Sequence, residues 1–175
     1  MKTKVLNWTK VLLASLLLLA LAAGGAAYRY LTADPLQLVV EASIDELPAV
    51  MRWAALQGLH WRSPTAEEIA SLNREAGARY LLALPDPQDA SALLRHYLDH
   101  GLDLNSRDAQ SGLTALQGAA IANEPAQVAL LLELGADPQV ADSEGRTALM
   151  LVQLSQTNRP DVDYRKTLAL LSPKT

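Results

Sequence analysis

The feature that most constrains this chain is a period. Between Gly101 and Leu149 the same residues return at a fixed distance. Gly112 and Gly145, Thr114 and Thr147, and Leu116 and Leu149 are each 33 positions apart, while Gly101 and Gly135, Asp103 and Asp137, and Asp108 and Asp142 are 34 apart. A repeat of that size is too small to bury its own apolar face, so copies must stack to make a core. Composition agrees with a helical stack. Half of the 175 residues are apolar, and the chain has no Phe, 3 Trp and 5 Tyr. Ala and Leu dominate, which favours closely packed helices over sheets.

The repeated phrases are Gly-x-Thr-Ala-Leu, Ala-Ala, Leu-Leu-x-x-Gly-Ala-Asp and Asp-x-x-Gly. They resemble the ankyrin repeat, in which each unit is a β-turn finger followed by two antiparallel helices. The resemblance implies an all-α solenoid of about four helix pairs, the outer ones degenerate, with short β-turn fingers. It covers residues 35–175 and is best matched over 101–155. By the same resemblance Thr114 and Thr147 cap first helices, Ala119 and Ala120 are the small pair that lets repeats approach, and Val128, Leu131 and Leu132 form the apolar face of a second helix. Gly135 ends that helix. Two departures matter. Ala115 and Ala148 stand where the family has Pro, and Gln117 and Met150 stand where it has a His that bonds neighbouring repeats. The second departure implies weaker coupling between units. The stretch Asp108–Gly112 is also one residue longer than Asp142–Gly145, which implies a bulged finger.

The N-terminus carries a second signal. Residues 1–10 are basic, with Lys2, Lys4 and Lys10, and residues 11–28 form an 18-residue run without charge. As a helix that run is about 27 Å long, just enough for a bilayer core of about 30 Å. Positive charge before it keeps that end cytoplasmic and sends the rest across. Two readings stay open. The segment is a retained single-pass anchor, with Trp8 and Tyr28–Tyr30 at the two interfaces and 29–34 as a linker. Alternatively it is a signal peptide cut near Ala22, after the small-residue pattern Ala20-Leu21-Ala22. The first places a periplasmic domain on the inner membrane of a bacterial cell, and the second releases it to the periplasm or medium.

From Asp34 to His100 the pattern is worn. Asp34-Pro35 opens a helix with Leu36, Val39, Val40 and Ile44 on one face. A second helix starts near Glu46–Pro48 and is expected to end at Gly58, as the helix opened by Pro125 ends at Gly135. Thr65 to Glu68 is a capping box for a short extra helix over 66–74, followed by another over 78–84. Pro85 and Pro87 break the chain before a helix over 89–100 that buries Ala92, Leu93, Tyr97 and Leu98. Trp53, His60 and Trp61 read either as the cap of a core or as an exposed aromatic patch. His96 and His100 share a helix face and so could hold a metal, but no third ligand is in position. At the far end Thr157–Pro160 is expected as a loop, 164–171 as an amphipathic helix, and 172–175 as a frayed tail.

No catalytic set is present. There is no Gly-rich phosphate loop, no Gly-x-Ser-x-Gly elbow and no His-Glu-x-x-His. With no Cys there is no thiol nucleophile and no disulfide. Acid pairs such as Asp45-Glu46 and Glu67-Glu68 fall at helix starts, where the dipole alone favours them. From Leu31 onward 11 basic residues face 19 acidic ones, a net charge of −8, which repels nucleic-acid backbones. The expectation is therefore a binding module without enzyme activity, cofactor, metal, nucleic acid or small-molecule substrate. Its partner is a protein, and a membrane through residues 11–28 if they are retained. An alternative within the same surface is an immunity or inhibitor protein for an exported enzyme or toxin. The candidate contacts are the finger tips Asn105, Ser106, Arg107, Gln110, Gln139, Val140, Ser143 and Glu144, with Gln117, Asn123 and Glu124 on or beside a first helix.

Overall fold

The computed structural model describes residues 8–172 apart from Asp45 and Ala76, without the side chains of residues 8–14, 18 and 36. Expectations for Lys2, Lys4, Asp45, the Leu36 side chain and residues 173–175 lie outside the described residues. Within them the chain is all-helical. The helices are α1 (Trp8–Thr32), α2 (Pro35–Ser43), α3 (Ala49–Trp61), α4 (Ala66–Glu75), a 3-10 helix (Ala78–Ala83), α5 (Pro87–Leu98), α6 (Ala115–Ile121), α7 (Pro125–Glu133), α8 (Ala148–Asn158) and α9 (Arg165–Leu171). Among the described residues the backbone pairs as strand only at one isolated antiparallel bridge, Arg107 with Thr114.

Local chemistry sets the helix ends. Thr65 and Glu68 close a capping box, with the Glu68 amide donating to Thr65 Oγ1 (3.2 Å) and the Thr65 amide to Glu68 Oε2 (2.8 Å). Asp86 caps α5 by accepting from the Gln88 amide at 2.7 Å, with Pro87 at the first helical position. Thr114 and Thr147 cap α6 and α8. At the other end, Gly101 (φ 99°) and Gly135 (φ 97°) turn the chain out of α5 and α7 in the left-handed region. The following amides then reach back, Leu102 N to Tyr97 O at 3.0 Å and Ala136 N to Leu131 O at 2.9 Å. These are matching Schellman-type ends 34 residues apart, closed by glycine for the reason glycine favours such ends generally.

The helices pair in sequence: α2 with α3, the 3-10 helix with α5, α6 with α7, and α8 with α9. The first members pack on one another along the chain, α2 on the 3-10 helix, the 3-10 helix on α6, and α6 on α8. The second members do the same, α3 on α5 and α7 on α9, with Arg95 of α5 paired to Glu133 of α7 at 2.7 Å. The core runs between the two columns as one apolar cluster from Tyr30 to Leu171, including Leu38, Leu59, Leu81, Leu93, Tyr97, Leu116, Leu131 and Tyr164. α4 is inserted between the first two pairs.

Several expectations are corrected. α3 does not end at Gly58 but continues to Trp61. Gly58 is there for space, since a Cβ on it would lie 2.6 Å from the Tyr30 carbonyl oxygen. Residues 29–34 are not a linker, because α1 continues through Thr32 and Tyr30 is buried in the core. Arg62 donates to the carbonyls of Leu31 (3.2 Å) and Ala33 (2.8 Å) and tightens the junction further. The buried stripe of α2 is Leu38, Val39 and Ala42, with Val40 exposed, and that of α5 is Ala90, Leu93, Leu94 and Tyr97, with Ala92 exposed. The helix expected over 78–84 is a tighter 3-10 turn. α8 runs through Thr157 and Asn158, so the loop begins at Arg159.

The α1–α3 contact makes a direct prediction. Gly58→Val forces a side chain into the Tyr30 carbonyl and is expected to cost about 1–3 kcal/mol, the usual range for overpacking. Gly24→Val, where an added Cβ meets nothing within 4 Å, is expected to leave the melting temperature unchanged. Thermal unfolding of the full chain in detergent, followed by circular dichroism, checks both.

Candidate binding face

The loops that connect each pair to the next are built by carboxylates. Asp108 Oδ1 accepts from the amides of Gln110 (2.6 Å) and Ser111 (3.1 Å), and Asp142 Oδ1 accepts from Glu144 and Arg146, both at 2.9 Å. The first loop closes through Gly112 N to Asp108 O (2.8 Å), four residues back, and the second through Gly145 N to Asp142 O (3.1 Å), three back. The extra residue between Asp108 and Gly112 is thus taken up by a wider turn. Both carboxyls are held below their ordinary value. At Asp108 desolvation pushes upward, but the Gln110 and Ser111 bonds and the charge of Arg79 outweigh it. At Asp142 the Arg146 backbone amide is the largest cause, followed against desolvation by the Arg146 side chain and the Glu144 amide.

A relay of Asn and Asp joins successive units. The Asp103 amide donates to Asn73 Oδ1 at 2.9 Å, and the Asp137 amide donates to Asn105 Oδ1 at 2.9 Å. Each Asp then caps the next loop, Asp103 accepting from the Asn105 amide and Asp137 from the Gln139 amide, both at 2.8 Å. The C-terminal end of α4, through Asn73, therefore serves as the loop base that the second unit otherwise lacks.

Gln117 is the main reversal. It is 1% exposed. Its Oε1 accepts from the Thr114 amide (2.9 Å), and its Nε2 donates to the carbonyls of Val140 (3.0 Å) and Arg146 (3.1 Å) in the following loop. The amide bonds directly across to the following unit, so the expected weaker coupling does not hold at this junction. Gln117 is not available to a partner.

Other candidates are also engaged internally. Asn123 ends α6 in the left-handed region (φ 59°). Its side chain donates to the Asp163 carbonyl (3.0 Å) and accepts from Thr167 Oγ1 (2.7 Å). Asn105 is spent in the relay, and Ser106 Oγ donates to the Asp103 carbonyl at 2.8 Å. Arg107 donates to the Ala141 carbonyl of the next loop, and Glu144 pairs with Arg146 at 2.7 Å. Val140 is half-buried. Gln110, Glu124, Gln139 and Ser143 are exposed.

A shallow groove passes from the first long loop onto the inner helices. One part, about 260 Å³, is lined by Glu75, Arg79, Tyr80, Ala83, Asp108 and Gln110. The adjoining part, about 160 Å³, shares Arg79 and Ala83 and adds Gly118, Ala119, Ala122 and Glu124. Arg79 is the charged group common to both, exposed and laid against α6, where a Cβ on Gly118 would come within 3.0 Å of its Cδ and Nε. Sequence reasoning missed Arg79 and Asn73. The signal that could have found Asn73 was an Asn 30 residues ahead of Asp103, close to the 32 residues between Asn105 and Asp137.

The arrangement suits recognition. A guanidinium between carboxylates over a floor of Gly and Ala offers hydrogen bonds and a close approach to a partner's backbone. The histidine pair is explained by the fold: the rings are 4.7 Å apart, His96 Nε2 bonds the Arg62 carbonyl at 3.0 Å, and His100 Nδ1 bonds the His96 carbonyl at 2.7 Å. Trp53 and Trp61, which could have capped a core, are instead exposed and meet edge to face at 6.4 Å. No family model matches this chain, and no solved structure gives a significant match to it.

Two expected outcomes follow from the loops. Gln117→Ala strands the Val140 and Arg146 carbonyls and should cost about 1–3 kcal/mol, whereas Gln110→Ala should stay within about 0.5 kcal/mol. Urea titrations compare them. The Asp142 contribution is complete above the ordinary carboxyl value of 3.8 and is lost as pH falls through its lower folded value. Acid titration of the wild type should therefore show a destabilising limb in that window, and Asp142→Asn should be weaker at neutral pH with a shallower limb.

Proposed function

We propose that this chain is an ankyrin-repeat-type interaction module, exported from the cytoplasm and held in the inner membrane by α1, that binds a protein partner on its concave face. The observation that most supports this is the pair of cross-unit devices, the Asn–Asp relay and the Gln117 amide. They fix the loops from within, so that exposed side chains such as Arg79, Gln110, Glu124 and Gln139 are left to meet a partner. Affinity in such a face comes from a few anchors, and Arg79 is the best placed of them. The anchor is supported by length and composition, since Ser15–Thr32 is long and apolar enough to cross a bilayer. Retention is favoured over cleavage because α1 runs unbroken through Ala20-Leu21-Ala22 and its end is built into the core.

Site-specific photo-crosslinking in native membranes tests the reading. A crosslinker at Gln110 or Gln139 of the full chain should yield one discrete protein adduct. One at the exposed Ala129, on the outer column, should yield none. Arg79→Gln should reduce the Gln110 adduct about tenfold, the loss of one charged anchor, with circular dichroism showing that the helices remain folded. Adducts from Ala129 alone, or yields indifferent to Arg79, would refute the concave-face assignment.

A further inference from the structure

We propose that α3 and the last turns of α1 form a seat for the lipid interface, so that the domain rests on the bilayer through Trp53 and Trp61. This rests on the reading of α1 as a retained span. Between the two helices lies a groove of about 370 Å³ whose α1 side includes Ala23, Ala26 and Ala27 and whose α3 side includes Val50, Trp53 and Trp61. Among the described residues no charged side chain lines it.

The argument is one of depth. Ala23, Ala26 and Ala27 belong to the uncharged run that ends at Tyr28. Ala23 lies five residues inside that end, or about 8 Å at the helical rise. The headgroup layer on each side of the hydrocarbon is about 5–8 Å thick. A groove that begins at Ala23 and reaches Leu31, three residues past Tyr28, therefore runs from inside the hydrocarbon out into that layer. The α3 residues that wall it lie beside the span and share its surroundings. Those residues have the chemistry of that layer: Val50, Trp53 and Trp61 are 69%, 55% and 71% exposed, and Trp is the residue most suited to a boundary with one apolar and one wet side. A soluble protein cannot reach a groove whose wall is inside the span, whereas lipid is already there. The close approach at Gly58 fixes the depth, since it locks α3 against Tyr30 and prevents the domain from lifting off on a flexible connection.

The three tryptophans make the test direct. The full chain is reconstituted in vesicles of phosphatidylcholine and phosphatidylglycerol (about three to one) carrying a nitroxide either near the headgroup or near the acyl chain end. Trp8→Phe leaves Trp53 and Trp61 as reporters, and the double variant Trp53→Phe with Trp61→Phe leaves Trp8, at the start of α1. The expected result is that emission of Trp8→Phe is quenched at least twofold by the shallow nitroxide and less by the deep one. If Trp8 is quenched while Trp53 and Trp61 are not, the span stands and the seat is wrong. If no tryptophan is quenched and alkaline carbonate strips the chain from vesicles, the anchor reading itself fails and the seat falls with it.

Discussion

The structure depends on hydrogen bonds that one helix pair cannot make for itself. Gln117 is buried, and a buried amide or carbonyl without a partner costs about 1–3 kcal/mol. Here the partners belong to the next unit: the Val140 and Arg146 carbonyls are met by a side chain 23 and 29 residues earlier. The Asn73–Asp103 and Asn105–Asp137 bonds extend the same dependence along the outer rim of the stack. Such bonding gives each unit a direction, with the earlier one supplying the side chain and the later one the backbone. Apolar burial between the columns provides the bulk of the drive, but it is indifferent to register. The polar contacts are what hold one loop at a set height above the next.

How much of this was legible depended on whether the determining contact was local. Where the determining contact is made within a helix or at its own end, as by the cap at Thr114, the apolar stripe at Val128 and Leu131 and the turn at Gly135, the chain announces its own helices. The repeat between Gly101 and Leu149 was readable for that reason, as was the capping box at Thr65. Gly58 has no local signature. Its role is set by the Tyr30 carbonyl, 28 residues away, and a glycine that makes room looks the same in sequence as one that ends a helix. Gln117 misled in the opposite sense. Judged against the usual His it read as a loss, yet an amide has both a donor and an acceptor and fills the place. Asn73 was hidden because it lies within the inserted α4, which interrupts the period. The finger-tip candidates lie on the loops, but Asn105, Ser106, Arg107 and Glu144 are bonded within the fold, as is Asn123 just after α6.

The first helix pair illustrates how the stack ends. A terminal unit leaves one face without a neighbour, and repeat arrays ordinarily cover it with polar residues. At the C-terminal side the turn into α9 is polar, with Asp163 and Arg165 bonded on an exposed surface at 2.7 Å. At the N-terminal side the cover is α1, whose Tyr30 enters the core and whose Arg29 reaches Glu41 of α2 at 2.5 Å. Removing α1 would therefore expose α3 and uncap the array at the same time.

The contact of Arg79 with Gly118 ties together two positions that belong to different units. The guanidinium lies where it does because residue 118 has no side chain, and even a methyl group there would press on Cδ and Nε. Such pressure falls on the far end of a flexible chain, so it would re-aim the arginine and leave the scaffold standing. The two sites thus behave as one adjustable setting. Diversifying 79 with glycine retained at 118 samples many shapes of one surface, whereas altering 118 first shuts off most of them. Any attempt to retarget this protein would gain most by varying them jointly.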